Sequence, residues 1–293
     1  MASNIESLYD ALVGKAGAAA VKDMKSDDTT DRLANLVVGS RTYLNGCSRI
    51  DLESKVPDKE YFMFKSAAGK TSRPVNLDLY DDDLTRDDIE QVLECDIDGL
   101  TPEYITKVIY SCAISYCCSA DLLKSSDQKT PGTYFEMLIG HLVSRMLGVN
   151  PERQITVPTL DEKITLPTDF VFDLGPDKNR VHLPIKTSTR ERVVQVWAHQ
   201  RVLDGMHGVA RFKGVLAVLA ETNKQKEKSV TEVCLPNQWM AYQMYIAQMF
   251  RVYYLDLPEK YVALKDRYPF IQVKQFGDFF FEVDKIEKSG LAT

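Results

Sequence analysis

The stretch Phe212–Ala220 is apolar almost throughout, and it constrains the fold more than any other feature. A run of this length without polar alternation reads as a central strand buried on both faces, which requires helices above and below a sheet. Two further extended runs precede it, Thr168–Leu174 and Arg180–Thr187. They are joined by the turn Gly175-Pro176-Asp177-Lys178-Asn179. An amphipathic helix is expected over Thr189–Leu203, then a turn at Gly205–Gly208. Thr231–Leu235 and Arg251–Leu257 read as strands and Asn237–Met249 as a helix. The tail Ile271–Val283 offers two more strand candidates around Gly277.

The N-terminal half reads differently. Apolar residues recur at three- and four-residue spacing over Ile5–Met24 and Thr30–Leu44, which predicts helices. Residues 45–83 look mixed and loop-rich, and Asp87–Leu93 a short helix. Thr101-Pro102-Glu103 is a helix start, with a capping threonine, proline at the first position and an early acid, for a helix reaching Leu123. After a polar break, Thr133–Leu147 is a helix ended by Gly148-Val149-Asn150-Pro151, with a short strand at Ile155–Val157. The expected fold class is therefore α/β (α+β): a central mixed sheet flanked by helices over 130–293, behind a mainly helical region over 1–129.

Composition narrows the function classes. At 293 residues, 44% hydrophobic and 27% charged, the chain resembles an ordinary globular protein. No run reaches the ~18 uninterrupted apolar residues of a membrane span, and the first residues lack the basic and apolar regions of a signal peptide; the expectation is a cytoplasmic protein with no membrane partner. The six cysteines form no C-x-x-C pair, and the four histidines lack the H-E-x-x-H spacing, so free thiols are expected and zinc chemistry is not. The net charge of −6 speaks mildly against nucleic acid. Its distribution speaks for it: residues 178–213 hold eight basic residues against two acids, whereas 78–98 hold ten acids against Arg86 alone.

The chemistry concentrates in Lys186-Thr187-Ser188-Thr189-Arg190-Glu191-Arg192, at the junction of a predicted strand and a predicted helix. Asp169 lies on the neighbouring predicted strand, so a carboxylate and an ammonium can meet across the sheet. Phosphodiester hydrolysis needs an activated water and stabilisation of the departing oxygen, and Mg2+ is held by one or two carboxylates plus substrate phosphate. Each residue also has a plainer explanation. Asp169 can simply open a strand at the surface, Lys186 and Glu136 can be solvated, Asp173 can be a turn residue, and Ser188-x-x-Glu191 can be a capping box. A helix N-terminus does not favour the arginines on either side of Glu191, and that points to an anionic partner.

Glu136 on a helix, Asp169 on a strand and Lys186 on the next strand resemble the PD-(D/E)xK nuclease core. The string from Lys186 to Arg192, continuing to Gln195-Val196, is similar to type II restriction endonucleases that read CC:GG steps, and Thr130–Glu136 is similar to the helix entry carrying that family's first acid. The resemblance covers Thr130–Asp204. It implies a Mg2+-dependent endonuclease acting on double-stranded DNA at a palindromic CC/GG site, working as a homodimer, with a tetramer as the alternative. Asp169, Lys186 and Glu136 would be catalytic, with Asp169 and Glu136 as metal ligands. Arg190, Glu191 and Arg192 would read bases. Arginine matches guanine O6 and N7, and glutamate accepts from cytosine N4. Thr187, Ser188 and Arg201 would hold the DNA backbone. The sequence departs from the pattern at Pro184, where an acid usually stands. The places 13 and 14 residues after the lysine, where a substitute glutamate is usual, hold His199 and Gln200, which become further candidate metal ligands. Two other readings remain: a structure-specific repair or recombination nuclease, and a non-catalytic DNA-binding module on the same fold.

Overall fold

In the computed structural model, residues 2–14, 21–124, 127, 129–158, 163–209, 211–225 and 228–288 are described. In chain order the elements are α1 (Ala2–Val13), α2 (Asp27–Leu44), β1 (Ser48–Ser54), β2 (Tyr61–Lys65), β3 (Val75–Asn76), α3 (Arg86–Leu93), α4 (Pro102–Leu123) and α5 (Lys129–Leu147). They continue with β4 (Glu152–Pro158), β5 (Lys163–Asp173), β6 (Arg180–Leu183), β7 (Ile185–Lys186), α6 (Val194–His207), β8 (Phe212–Val218), β9 (Thr222–Lys224), β10 (Ser229–Glu232), α7 (Pro236–Tyr245) and β11 (Arg251–Tyr254). Last come α8 (Glu259–Val262), α9 (Leu264–Arg267), β12 (Val273–Gln275) and α10 (Val283–Glu287). The chain divides into two compact units, Met1–Arg145 with Thr222–Val233, and Met146–Glu221 with Cys234–Thr293.

Capping explains where the helices of the first unit begin. Ser26 accepts from the Thr29 amide, which starts α2 three residues earlier than the apolar spacing suggests. Thr85 and Asp88 form a capping box on α3, and Thr101 caps α4, with Pro102 at its first turn. The helix expected over Ile5–Met24 is shorter: α1 ends at Val13 and is followed by Gly14 at φ 73°, a left-handed conformation that stops a helix. Part of that expectation, residues 15–20, lies outside the described residues.

Residues 45–83 carry three short strands, β1, β2 and β3, joined by loops, so the first unit is not purely helical. Its five-stranded sheet has the order β3-β2-β1-β10-β9. In the β1–β2 ladder Ile50 faces Met63 and Leu52 faces Tyr61. The alternation Arg49-Ile50-Asp51-Leu52-Glu53 is a strand signal carried by only two apolar residues, and it is weak in isolation. β10 joins from far along the chain by parallel pairing, Glu53 with Ser229. No local feature of Thr222–Val233 announces that return.

The second unit holds a mixed sheet of order β12-β11-β8-β6-β5-β4, with β7 also paired to β8. All seven residues of β8 are buried, as its apolar run required, and its partners β6, β7 and β11 are all parallel to it. α6 lays Val196 and Trp197 onto Leu216 and Val218, in a cluster shared with Trp239, Val252 and Tyr254. Two expectations need correction here. α6 runs through Gly205 to His207, and the chain turns only at Gly208, φ 91°. Beyond β12 the second tail candidate is a 3-10 helix, Phe276–Phe281, because Phe276 and Phe279, three residues apart, stack at 5.7 Å on one face.

Candidate active site

β5 and β6 run antiparallel with Phe170 opposite Leu183, which places Asp169 opposite Pro184. Proline has no N–H to donate to a ladder, and Pro184 separates β6 from β7. The next amide, that of Ile185, donates to Asp169 Oδ2 at 2.7 Å. Lys186 Nζ donates to the same oxygen at 2.7 Å. Both side chains remain partly open, Lys186 30% and Asp169 21% exposed. Asp169 Oδ1 has no hydrogen-bond partner among the described residues. The carboxylate is thus fixed through one oxygen and presents the other.

This pair borders a cleft of about 160 Å3 lined by Pro167, Thr168, Asp169, Pro184, Lys186, Gln195, Val196 and His199. Gln195 and His199 lie one turn apart on α6, so a single helix face closes the side opposite the β5–β7 edge. Burial lowers the pKa of His199, the Lys186 charge lowers it further, and Asp169 opposes both. The Thr168 hydroxyl is buried without a partner among the described residues.

Gln200, one residue on, points away into the core. It is fully buried, and its Oε1 accepts from His182 Nδ1 at 3.0 Å. Its Nε2 donates to Asp204 Oδ1 at 3.0 Å and to the Phe212 carbonyl at 2.9 Å. The carboxamide oxygen offered above as a metal ligand is therefore already engaged. His182, donating through Nδ1, is held neutral, and burial takes its pKa down to about 4. Its Nε2 is buried without a hydrogen-bond partner among the described residues.

The loop after Lys186 is tied to the end of β8. The Leu219 amide donates to the Lys186 carbonyl at 3.0 Å and the Ala220 amide to that of Thr187 at 3.3 Å. Glu221, 1% exposed, receives the Thr189 amide at 3.0 Å and the Thr189 hydroxyl at 2.6 Å. Thr187 and Ser188 are half-buried and Arg190 is exposed. Arg190 takes φ 30°, an uncommon conformation for a residue with a side chain. Residues 190–193 form a 3-10 turn before α6; the side chains of Glu191 and Arg192 lie outside the described residues. Arg201 is exposed on α6, and Glu136 is partly buried on α5 in the first unit. Asp173 is a turn residue, accepting from the Gly175 amide at 3.0 Å and pairing with Arg180. The six cysteines are free. No group of three or more His, Cys, Asp or Glu side chains gathers as a metal cage among the described residues. No helix there is long and apolar enough to cross a membrane.

Sequence reasoning missed Glu221. The available signal was an acid placed directly after a central buried strand, where a charge needs partners.

No protein-family model matches the chain, and no curated protein sequence matches it. Among solved structures, the chain is similar to the type IIP restriction endonuclease Kpn2I, with a TM-score of 0.77 and 25% identity over 97% of each chain. The restriction endonuclease PspGI in complex with substrate DNA superposes at a TM-score of 0.44 and 15% identity, over 68% of this chain and 87% of that one, too distant to bear on the argument. The chain has the fold of a type II restriction endonuclease.

Proposed function

We propose that the protein is a site-specific deoxyribonuclease that cuts double-stranded DNA, with Mg2+, at a palindromic site containing CC and GG. The observation that carries this reading is the Asp169–Lys186 pair at the border of a cleft. A rigidly tied loop carrying Arg190, Glu191 and Arg192 follows it directly. The full-length likeness to Kpn2I supports the nuclease assignment.

The donor set suits a hard divalent cation in one respect: Asp169 offers a carboxylate oxygen with no hydrogen-bond partner among the described residues, and such ions are held by one or two carboxylates plus substrate phosphate. His199, at the same cleft, is a further candidate ligand; Glu136, the other acid the resemblance implies, stands on α5 in the first unit. When bound, the ion supplies Lewis acidity toward the phosphate and lowers the pKa of water. Lys186, held against Asp169, places its ammonium where negative charge grows on the phosphate and orients the attacking water. Arg190 and Arg192 bond guanine edges, and Glu191 accepts from cytosine. Thr187, Ser188 and Arg201 contact phosphates, which set register without reading sequence. A palindromic site calls for two-fold symmetry, so the protein acts as a homodimer, with the N-terminal helical region over 1–129 providing dimer or outer DNA contacts.

Digestion of unmethylated phage DNA with and without Mg2+ tests the reading. Discrete fragments should form only with the metal, and sequencing their ends should return one palindrome containing CC and GG. A smear, or intact DNA under both conditions, would overturn the assignment.

A further inference from the structure

We propose that Glu221 is a positioning residue for sequence discrimination: buried at the end of β8, it locks Thr189 and so fixes the loop from which Arg190, Glu191 and Arg192 reach DNA. The inference rests on the base-reading role given to that loop. Besides both Thr189 donors, Glu221 takes the Tyr254 hydroxyl at 2.7 Å, and the backbone of Arg190 also favours its ionised form. No cation pairs with it among the described residues. Burial pushes its pKa up, and these donors push back. An isolated buried carboxylate is costly, and an apolar side chain would pack here at less cost. What a carboxylate adds is several acceptor sites that hold one amide and one hydroxyl of the same residue at once.

The anchor reaches back into the core. Tyr254 stacks with Tyr261 at 5.8 Å and with Trp239 at 6.3 Å, and Trp239 packs on Trp197 of α6 at 5.3 Å. The same aromatic cluster therefore supports both α6 and, through Tyr254 and Glu221, the loop leading into it. The residue following Thr189 is Arg190, at φ 30°. A non-glycine residue in that region persists only when its surroundings over-determine it, and Glu221 supplies that constraint. Chemistry at Lys186 is held separately, by Asp169 and by pairing with Val218. Loosening Glu221 should thus blur site choice more than it slows cleavage.

The test compares kcat/KM on the cognate site with kcat/KM on sites carrying one wrong base pair, using the full-length protein. Glu221→Gln replaces an acceptor oxygen with a donor, and it should reduce the cognate-to-mismatch ratio at least tenfold while cognate kcat changes less. Thr189→Val should act in the same direction and Thr189→Ser should restore the ratio, an arm that decides the matter if Glu221→Gln does not fold. Leu264→Ala, in the same core but away from the loop, should lower the melting temperature and leave the ratio intact, which separates positioning from general destabilisation. Arg192→Ala is the reference for base reading. If it lowers the ratio but neither Glu221→Gln nor Thr189→Val does, the positioning role is wrong and the base-reading role stands. If Arg192→Ala itself changes nothing, base reading by this loop is wrong and the role of Glu221 falls with it.

Discussion

Lys186 and Asp169 share one hydrogen bond of 2.7 Å, and the proposed chemistry puts different demands on each. Lys186→Ala should leave DNA affinity largely intact and slow cleavage by about 10^2–10^3-fold, the usual loss when one transition-state donor is removed. Single-turnover cleavage beside a gel-shift titration measures both. Unaltered cleavage would remove Lys186 from the mechanism. A second residue-scale prediction concerns His141, fully buried on α5. Its Nδ1 lies 2.6 Å from the Met24 carbonyl and its Nε2 3.0 Å from the Leu93 carbonyl and 3.2 Å from the Thr30 hydroxyl, contacts that favour the protonated ring and offset part of the cost of burying it. Burial takes its pKa down to about 4 from an ordinary 6.5. Below pH 6.5 the unfolded chain takes up a proton that the folded chain refuses. Stability is therefore lost as pH falls from about 6.5 towards 4, by about 3 kcal/mol in all. Urea unfolding midpoints at pH 7 and pH 4.5 should show the drop, and His141→Gln should lose less over the same interval.

Among the elements, β8 is the one on which the second unit depends, because β6, β7 and β11 all pair with it. Gly214 in β8 faces a filled space: a Cβ there would stand 2.7 Å from Gln200 Oε1 and 2.7 Å from Met249 Sδ. Methionine can swing aside, but Gln200 is bound to His182, Asp204 and Phe212 and cannot move freely. Gly214→Ala should cost about 1–3 kcal/mol, the range for overpacking a filled core. An unchanged denaturation midpoint would show that Gln200 yields more readily than its bonds suggest. Element boundaries were legible where capping chemistry is local, as at Thr101-Pro102. They were misjudged where packing prevailed, as in α6, which continues past Gly205, and over Phe276–Phe281, whose rings stack on one face instead of alternating.

For the whole molecule, the net charge of −6 makes any DNA affinity depend on where the basic groups stand. The basic run 178–213 is partly spent on structure: Lys178 pairs with Glu287, Arg180 with Asp173, and Lys213 donates to backbone carbonyls. Arg190 and Arg201 are exposed and, with Arg192, are the ones proposed to contact DNA. Binding should weaken steeply with salt. Arg201→Ala should lower the slope of log K against log salt by about 1 and leave site preference unchanged. A changed preference would move Arg201 from phosphate contact to base reading. By itself the sequence determined the central buried strand, the Asp169–Lys186 pairing and the Lys186–Arg192 string, because periodicity and neighbouring side chains are local properties. Only the tertiary structure decided that Thr222–Val233 returns to pair with β1, that Gln200 turns into the core while His199 borders the cleft, and that Glu221 holds Thr189. Each of these depends on long-range contacts and on which buried polar groups find partners, and neither is written in any single stretch of chain.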